Sequence, residues 1–260
     1  MYEKEVEMMI KAAKTAQEWI LKVYHTDFSV ENKSDDSPVT SADKGADKII
    51  RDILSKAFPD YGFLTEESTD TPERLQKEFI FIVDPVDGTK EFVSRNGNFT
   101  TNIGLVKNHE VVAGVINIPL HDTVYFATKG GGSFRQKEGE APVRIHVSDR
   151  HDHLRAVRSI SFFNEKEKAI YDKHPELYES ISPLGAAQKF CIIAEGEAEI
   201  SYRCSGNTKE WDVCPGDLIL TEAGGVMLVP PEMKPMTYNR EDVYNRAGYV
   251  TANKAENIHY

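Results

Sequence analysis

Phe79-Ile80-Phe81-Ile82-Val83-Asp84-Pro85-Val86-Asp87-Gly88-Thr89-Lys90-Glu91-Phe92-Val93 is the stretch from which the fold can be read. Five apolar residues run up to Asp84, a turn holds Pro85, Val86 and Asp87, and Gly88-Thr89 opens a short helix. The pattern is that of a buried strand delivering two carboxylates to its carboxyl end, where α/β sheets bind their ligands. Two acids three residues apart, ahead of Gly-Thr at a helix start, can hold metal ions against a phosphate. The same residues also fit an acidic turn that does no more than cap a helix.

Working outward, Val6, Met9, Ile10, Ala13, Ala16, Ile20 and Val23 recur at helical spacing and predict an amphipathic helix over about the first 24 residues. Pro38 disfavours helix at Ser37, and Ser41 is expected to cap a second helix that runs to about Ala57 with Asp43 in its first turn. Tyr61 to Thr65 predicts a strand ending in Glu66-Glu67, and residues 69–77 a polar loop or short helix, tolerant of change. Past the opening stretch, strands are expected over 100–106, 111–118, 123–128 and 133–135, consecutive and therefore antiparallel. The polar residues 137–152 look like a connection. Beyond them strands near 156–161, 180, 198–203, 226–229 and 248–251 alternate with helices near 165–174, 186–194 and 211–223, an α/β pattern.

The 260 residues suffice for one large domain or two tightly packed halves. A formal charge of -11 opposes general binding to nucleic acid or to anionic membranes. A small anionic substrate would need metal ions or local Lys and Arg to invert that field. The start, M-Y-E-K-E-V-E-M-M-I-K, lacks the apolar core of a signal peptide, and no run approaches the ~20 apolar residues of a membrane span. A cytoplasmic protein without integral membrane association is expected. Cys191, Cys204 and Cys214 are odd in number and lack C-x-x-C spacing, which points to free thiols. No H-E-x-x-H occurs, and His151 and His153 fit a solvated loop.

Acids therefore stand at four element boundaries: Asp43 and Asp212 at helix starts, Glu66 at a strand end, Asp84 and Asp87 at the strand-to-helix turn. Mg2+ takes such oxygen ligands, and a two-metal site shares a carboxylate between ions ~3.5–4 Å apart. Spacing leaves open whether the four converge or each caps its own helix.

T-E-E-S at 65–68, D-P-V-D-G-T at 84–89 and W-D-V-C-P-G-D-L-I-L-T-E-A-G-G at 211–225 resemble three signatures, in order, of a phosphatase superfamily. It is the Mg2+-dependent, lithium-sensitive group that contains inositol monophosphatase and fructose-1,6-bisphosphatase. Within it, D-G-T-K-E-F-V-S-R-N-G-N-F-T-T-N-I at 87–103 is more similar to the CysQ-type 3'(2'),5'-bisphosphate nucleotidases, and S-P-V-T-S-A-D at 37–43 and K-F-C-I-I-A-E-G at 189–196 agree. The resemblance implies a layered αβαβα sandwich, α+β in an amino-terminal half (1–150) that carries most metal ligands and α/β in a carboxyl-terminal half (151–260) that carries Asp212 and substrate contacts.

The resemblance also implies roles. Glu66, Asp84 and the Val86 carbonyl would hold one Mg2+, and Asp84, Asp87 and Asp212 a second, with a third, weaker site near Glu66. Asp43 with Thr89 would orient and deprotonate the attacking water, with Glu66 counted beside them as catalytic. The amides of Gly88 and Thr89 would receive the phosphate; Lys189 and Arg203 would lie near the nucleotide, and Glu66, Val86, Asp87 and Asp212 also border the substrate. The implied reaction removes the 3'-phosphate of adenosine 3',5'-bisphosphate to give AMP. By the same resemblance 3'-phosphoadenylyl sulfate would be a second substrate, which would place the enzyme in sulfate assimilation, as a monomer or homodimer. Ser159-Ile160-Ser161-Phe162 stands where such nucleotidases often have S-R-S-H, and Gly185-Ala186-Ala187 where they have G-S-S. Phe162 can stack on a base or lie in the core. The alternatives are inositol monophosphatase or fructose-1,6-bisphosphatase activity, a purely structural Mg2+- or Ca2+-binding domain, and a non-catalytic phosphate- or nucleotide-binding protein. The last would have lost a metal acid or Thr89, and none is lost.

Overall fold

In the computed structural model, which describes residues 1–32 and 38–260, the chain begins with α1 (Glu3–Tyr24), β1 (Val30–Asn32), β2 (Pro38–Thr40) and α2 (Ser41–Ala57). The expectation at Ser37 lies outside the described residues. There follow β3 (Gly62–Thr65), β4 (Phe79–Asp87), α3 (Thr89–Val93), β5 (Thr100–Lys107), β6 (Glu110–Ile118), β7 (Thr123–Thr128), β8 (Gly132–Lys137) and β9 (Val143–Ile145). The rest comprises β10 (Leu154–Ser159), α4 (Glu165–Lys173), β11 (Tyr178–Leu184), α5 (Gln188–Ala194), β12 (Ile200–Arg203), α6 (Glu210–Glu222), β13 (Val226–Leu228) and β14 (Tyr249–Ala252).

β3 to β9 form one seven-stranded sheet in sequence order, parallel only between β3 and β4. A five-stranded sheet has the order β11-β10-β12-β14-β13. β10 runs parallel to β11 and β12, whereas β14 is antiparallel to β12 and β13, so this sheet is mixed.

The unbroken apolar run of β4 reflects burial on both faces. Side chains alternate along a strand. Phe81 and Val83 therefore join the core made with Met9, Ala13 and Ile20 of α1 and Ile50 and Leu54 of α2. Ile80 and Ile82 join a second core with Cys191 of α5 and Cys214 and Ile219 of α6, which also holds Val157, Met227 and Tyr249 from the second sheet and its edge. On that sheet's other face, Tyr171 of α4 packs with Leu154, Ile200 and Val250. The layers are αβαβα, as expected. Truncating a side chain such as Ile82 to Ala would cost ~2–5 kcal/mol.

One contact in these layers matters for the site. Gly104 and Gly114 face each other across β5 and β6 beneath α6. A Cβ on Gly104 would lie 2.4 Å from the Cys214 Sγ, and one on Gly114 would lie 2.7 Å from the Pro215 carbonyl oxygen. The two glycines thus let the first turns of α6 sit directly on the first sheet.

Three local expectations are corrected, and one ladder is added. Thr40, not Ser41, caps α2: its hydroxyl accepts from the Ala42 amide at 3.1 Å, and Asp43 accepts from the Thr40 amide at 2.8 Å in return. This reciprocal pair satisfies two amides, which Ser41 one position later cannot do. Residues 137–152 are more than a connection, since β9 adds the seventh strand of the first sheet by pairing with β8. The two-stranded ladder of β1 and β2 was not anticipated, because three residues per strand show no periodicity. Residues 69–77 are not freely variable: Arg74 is only 4% exposed, pairs with Asp70 at 2.6 Å and donates to the Asn239 side chain at 2.7 Å. No helix among the described residues is long and apolar enough to cross a membrane.

Candidate active site

At the carboxyl end of β4 the ladder slips. Asp84 pairs with Asn102 and Asp87 with Thr100, so three steps on one strand match two on the other. Residues three apart on a regular strand point to opposite faces; the extra residue brings Asp87 back into phase with Asp84. The Thr101 hydroxyl donates to the Pro85 carbonyl at 2.9 Å and holds the bulge. The Asn102 amide donates to Asp87 at 3.0 Å, and the Asp84 carboxylate accepts from the Val86 amide at 3.1 Å. Gly88 then turns the chain into α3 at φ 88°, where a Cβ would also lie 2.9 Å from the Asn98 carbonyl oxygen.

Asp212 arrives from the other side on the first turn of α6. Its carboxylate accepts from the Lys209 amide at 2.6 Å, which fixes it at the helix start. Carboxylate oxygens of Asp84, Asp87 and Asp212 all lie within 4.8 Å of one another. Glu66, just beyond β3, has its amide bonded to the Val83 carbonyl at 3.1 Å and lines the same cavity. Asp43 is buried beneath. It accepts from the Thr40 hydroxyl at 2.6 Å and from the Thr89 hydroxyl at 3.1 Å, while that Thr89 hydroxyl also lies 3.2 Å from the Val86 carbonyl.

Crowding acids in this way perturbs their protonation. Burial pushes the Asp212 carboxyl up to about 8, with the charges of Asp87 and Glu66 adding to the effect. Burial raises Asp87 to about 6 against the pull of the Lys189 charge. Asp43 is also raised by burial, opposed by the hydrogen bonds from Thr40 and Thr89. Lys189 is drawn down to about 8 by burial, with Asp87 opposing. A divalent cation among the three acids would relieve their repulsion. The donors are carboxylate and carbonyl oxygens, and no His or Cys among the described residues lines the cavity, a set that suits hard Mg2+ better than Zn2+.

The cavity, about 570 Å³, extends from these acids to a wall built by the carboxyl-terminal strands and helices. Lys189 donates to the Ala186 carbonyl at 2.6 Å. Arg203 is 7% exposed, donates to the Phe162 carbonyl at 2.8 Å and lies 3.6 Å from Glu167, so neither cation is a loose surface charge. Phe162 is 46% exposed and lines the cavity, which excludes the core alternative. Ala186 adopts φ 50° there, a backbone that side chains other than glycine seldom take.

Sequence reasoning missed the supports. Thr100, Thr101 and Asn102 carry a register-dependent role that no motif announces. Thr40 was legible as the first residue of T-x-x-D. Glu91, 4% exposed, accepts from the Ser161 hydroxyl at 2.5 Å and ties α3 to the loop that bears Phe162. That contact spans 70 residues and has no local signal.

Residues 1–259 match the inositol monophosphatase family. The chain is 32% identical to the 3'(2'),5'-bisphosphate nucleotidase CysQ of Escherichia coli (strain K12) over 249 residues, 94% of this chain and 98% of that protein. It is 34% identical to the CysQ of Salmonella typhimurium over 222 residues, 84% of this chain and 88% of the relative. Among solved structures, CysQ from Bacteroides thetaiotaomicron, described as a bacterial member of the inositol monophosphatase family, superposes with a TM-score of 0.84 at 33% identity, covering 98% of this chain and 99% of that one. An inositol monophosphatase from Zymomonas mobilis, 24% identical over 98% of this chain and 94% of that one, shares the fold with a TM-score of 0.79.

Proposed function

Because the chain belongs to the inositol monophosphatase family, we infer that it is a Mg2+-dependent phosphomonoesterase that removes the 3'-phosphate of adenosine 3',5'-bisphosphate, leaving AMP and phosphate. The observation that carries this is a single cavity lined by Asp84, Asp87, Asp212 and Thr89, whose hydroxyl donates to the buried Asp43, with Lys189, Arg203 and Phe162 also in its wall. The similarity to proteins named as bisphosphate nucleotidases supports the choice of substrate.

Glu66, Asp84 and the Val86 carbonyl would hold one Mg2+, and Asp84, Asp87 and Asp212 a second, with a third, weaker site near Glu66. When bound, Mg2+ supplies Lewis acidity to the phosphoryl group and to the attacking water. A threonine hydroxyl is too weak a base to act alone near neutral pH. With Thr89 Oγ1 3.1 Å from Asp43, a proton taken from water at Oγ1 has an acceptor in the buried carboxylate. Burial makes Asp43 a stronger base than a solvated aspartate. The amides of Gly88 and Thr89 would receive the phosphate oxygens, and Lys189 and Arg203 add positive charge where the nucleotide would lie. The same proposal includes action on 3'-phosphoadenylyl sulfate and a cytoplasmic monomer or homodimer, which fractionation and sedimentation would test.

Phosphate release is to be compared for adenosine 3',5'-bisphosphate, inositol 1-phosphate and fructose 1,6-bisphosphate with Mg2+. Fastest turnover of the bisphosphate nucleotide is expected. Faster turnover of either sugar-type phosphate would overturn the nucleotidase assignment.

A further inference from the structure

Four cations line the cavity: Lys90, Lys189, Arg203 and Lys209. Three are already engaged. Lys189 donates to the carbonyls of Ala186 and Leu184 at 2.6 and 3.4 Å and feels the charge of Asp87. Arg203 spends its charge on the Phe162 carbonyl at 2.8 Å and on Glu167 at 3.6 Å. Lys209 lies 5.2 and 5.4 Å from the rings of Trp211 and Tyr244 and has a further partner. Lys90 differs. It is exposed, and among the described residues it pairs with no carboxylate and donates to no carbonyl; its contact is the Phe162 ring, whose centroid lies 4.3 Å from the ammonium.

The placement of that ammonium is set from both sides. Lys90 follows Thr89 directly and so is tied to the turn that carries Asp87 and Gly88. Phe162 is anchored through its own backbone, with its carbonyl taken by Arg203 and its amide by the Ser159 hydroxyl at 3.1 Å. Next to it, Ser161 is clamped to the buried Glu91 at 2.5 Å. A lysine stem held over an aromatic face keeps its charge partly out of water and loses less freedom when an anion arrives. Its protons are not consumed, since a π face satisfies none of them as an oxygen would.

We propose that Lys90, held against Phe162, is a specificity-determining residue that contacts the second, non-scissile phosphate of a bisphosphorylated substrate. The proposal rests on the nucleotidase function inferred above and deepens it. Lys189 and Arg203 keep their place in the same wall and have second duties there: Arg203 fixes the Phe162 loop, and Lys189 balances Asp87. The substrate class selected is a nucleotide that carries an anionic group besides the one removed. A monophosphate would reach the acids but leave Lys90 unused.

The test uses the full chain with Mg2+ and two substrates that differ only in the second phosphate, adenosine 3',5'-bisphosphate and adenosine 3'-monophosphate. In Lys90→Ala, the ratio of kcat/KM for the bisphosphate to that for the monophosphate should fall about tenfold, mostly through KM, the scale of one charge-assisted contact. Lys90→Arg should restore most of the ratio, and added salt should shrink the wild-type ratio more than that of Lys90→Ala. Titration of AMP, which keeps the second phosphate, provides a readout without turnover: its Kd should rise by a similar factor in Lys90→Ala. A ratio and an AMP Kd that both stay within twofold of wild type would overturn the role of Lys90 while the nucleotidase function stood. Wild-type protein that turns over neither adenosine nucleotide would overturn the nucleotidase function, and this proposal with it.

Discussion

Two parts of the cavity are built on opposite principles. At the acidic end, Asp43, Asp84, Asp87 and Asp212 are each pinned by backbone amides or neighbouring side chains at an element boundary, and Asp43 and Asp84 are 1% exposed. Elsewhere on its wall, Lys90 and Phe162 present exposed side chains and meet through a ring contact at 4.3 Å. Rigid, buried acids hold charge where it is costly, which is useful only if a cation or a proton compensates it. The exposed pair costs little to hold and little to change, so selectivity can vary there without disturbing the fold.

The largest effect that would break this contrast is expected from Asp87→Asn. Removing one acid of the trio should lower phosphate release on the order of 10³-fold, since cation stabilisation of the transition state amounts to several kcal/mol. In the absence of divalent cation, thermal unfolding should be unchanged or slightly raised, because a repelling charge has gone. Mg2+ at about 100 times its Kd should stabilise the wild type by ~2.7 kcal/mol, and the variant much less. Retained activity in Asp87→Asn would remove Asp87 from the set of proposed metal ligands.

A buried acid with no place in the cavity sharpens the contrast by separating burial from metal binding. Asp217 of α6 accepts from the Tyr238 hydroxyl at 2.7 Å, and burial raises its carboxyl to about 7. Between the ordinary carboxylate range and that value, the native protein keeps a proton that the unfolded chain has lost. Stability contributed by Asp217 is therefore present at low pH and falls as pH rises from about 4 towards 7, by at most ~4 kcal/mol. Asp217→Asn should flatten that part of the profile, as read from urea midpoints across the range. An identical slope in the variant would show that Asp217 ionises normally.

Smaller effects are expected from the supports. Thr40→Ala removes the cap of α2 and one hydrogen bond to Asp43; about 1 kcal/mol of stability should be lost, and kcat should fall more than KM changes. An effect on stability with kcat intact would mean that Asp43 needs no orientation from Thr40. Smallest of all, Phe162→Leu should alter stability by less than ~0.5 kcal/mol and raise the KM for the bisphosphate nucleotide only a few-fold. A loss of stability comparable to that of a core truncation would show that Phe162 belongs to the packed interior after all.

Much of this was legible because local patterns carry it. The apolar run over 79–83, five residues long and β-branched or aromatic throughout, fits a strand buried on both faces, and the acids at element boundaries announced themselves by the turn and cap chemistry around them. The resemblance of three separated motifs supplied the fold as a whole. Serine's preference for the cap position favours Ser41 from the sequence; the hydrogen bonds select Thr40, whose spacing to Asp43 closes a reciprocal pair. β1, β2 and β9 escaped because three residues display no period and each mixes polar with apolar residues, whereas the equally short β13 is wholly apolar and follows Gly224-Gly225.

By itself, then, the amino-acid order determined which residues are acids at element ends, which runs are buried and what chemistry an oxygen-rich cluster can support. Tertiary structure alone decided the rest. The slip that brings Asp87 into phase with Asp84 depends on how β5 pairs with β4. The approach of Asp212 depends on two glycines that let α6 rest on a sheet more than 100 residues away in sequence. The separation of engaged cations from Lys90 depends on which carbonyls and carboxylates lie within ~3–4 Å. These are distances between chain segments remote in sequence, and pattern along the chain encodes them only through the packing of the whole molecule.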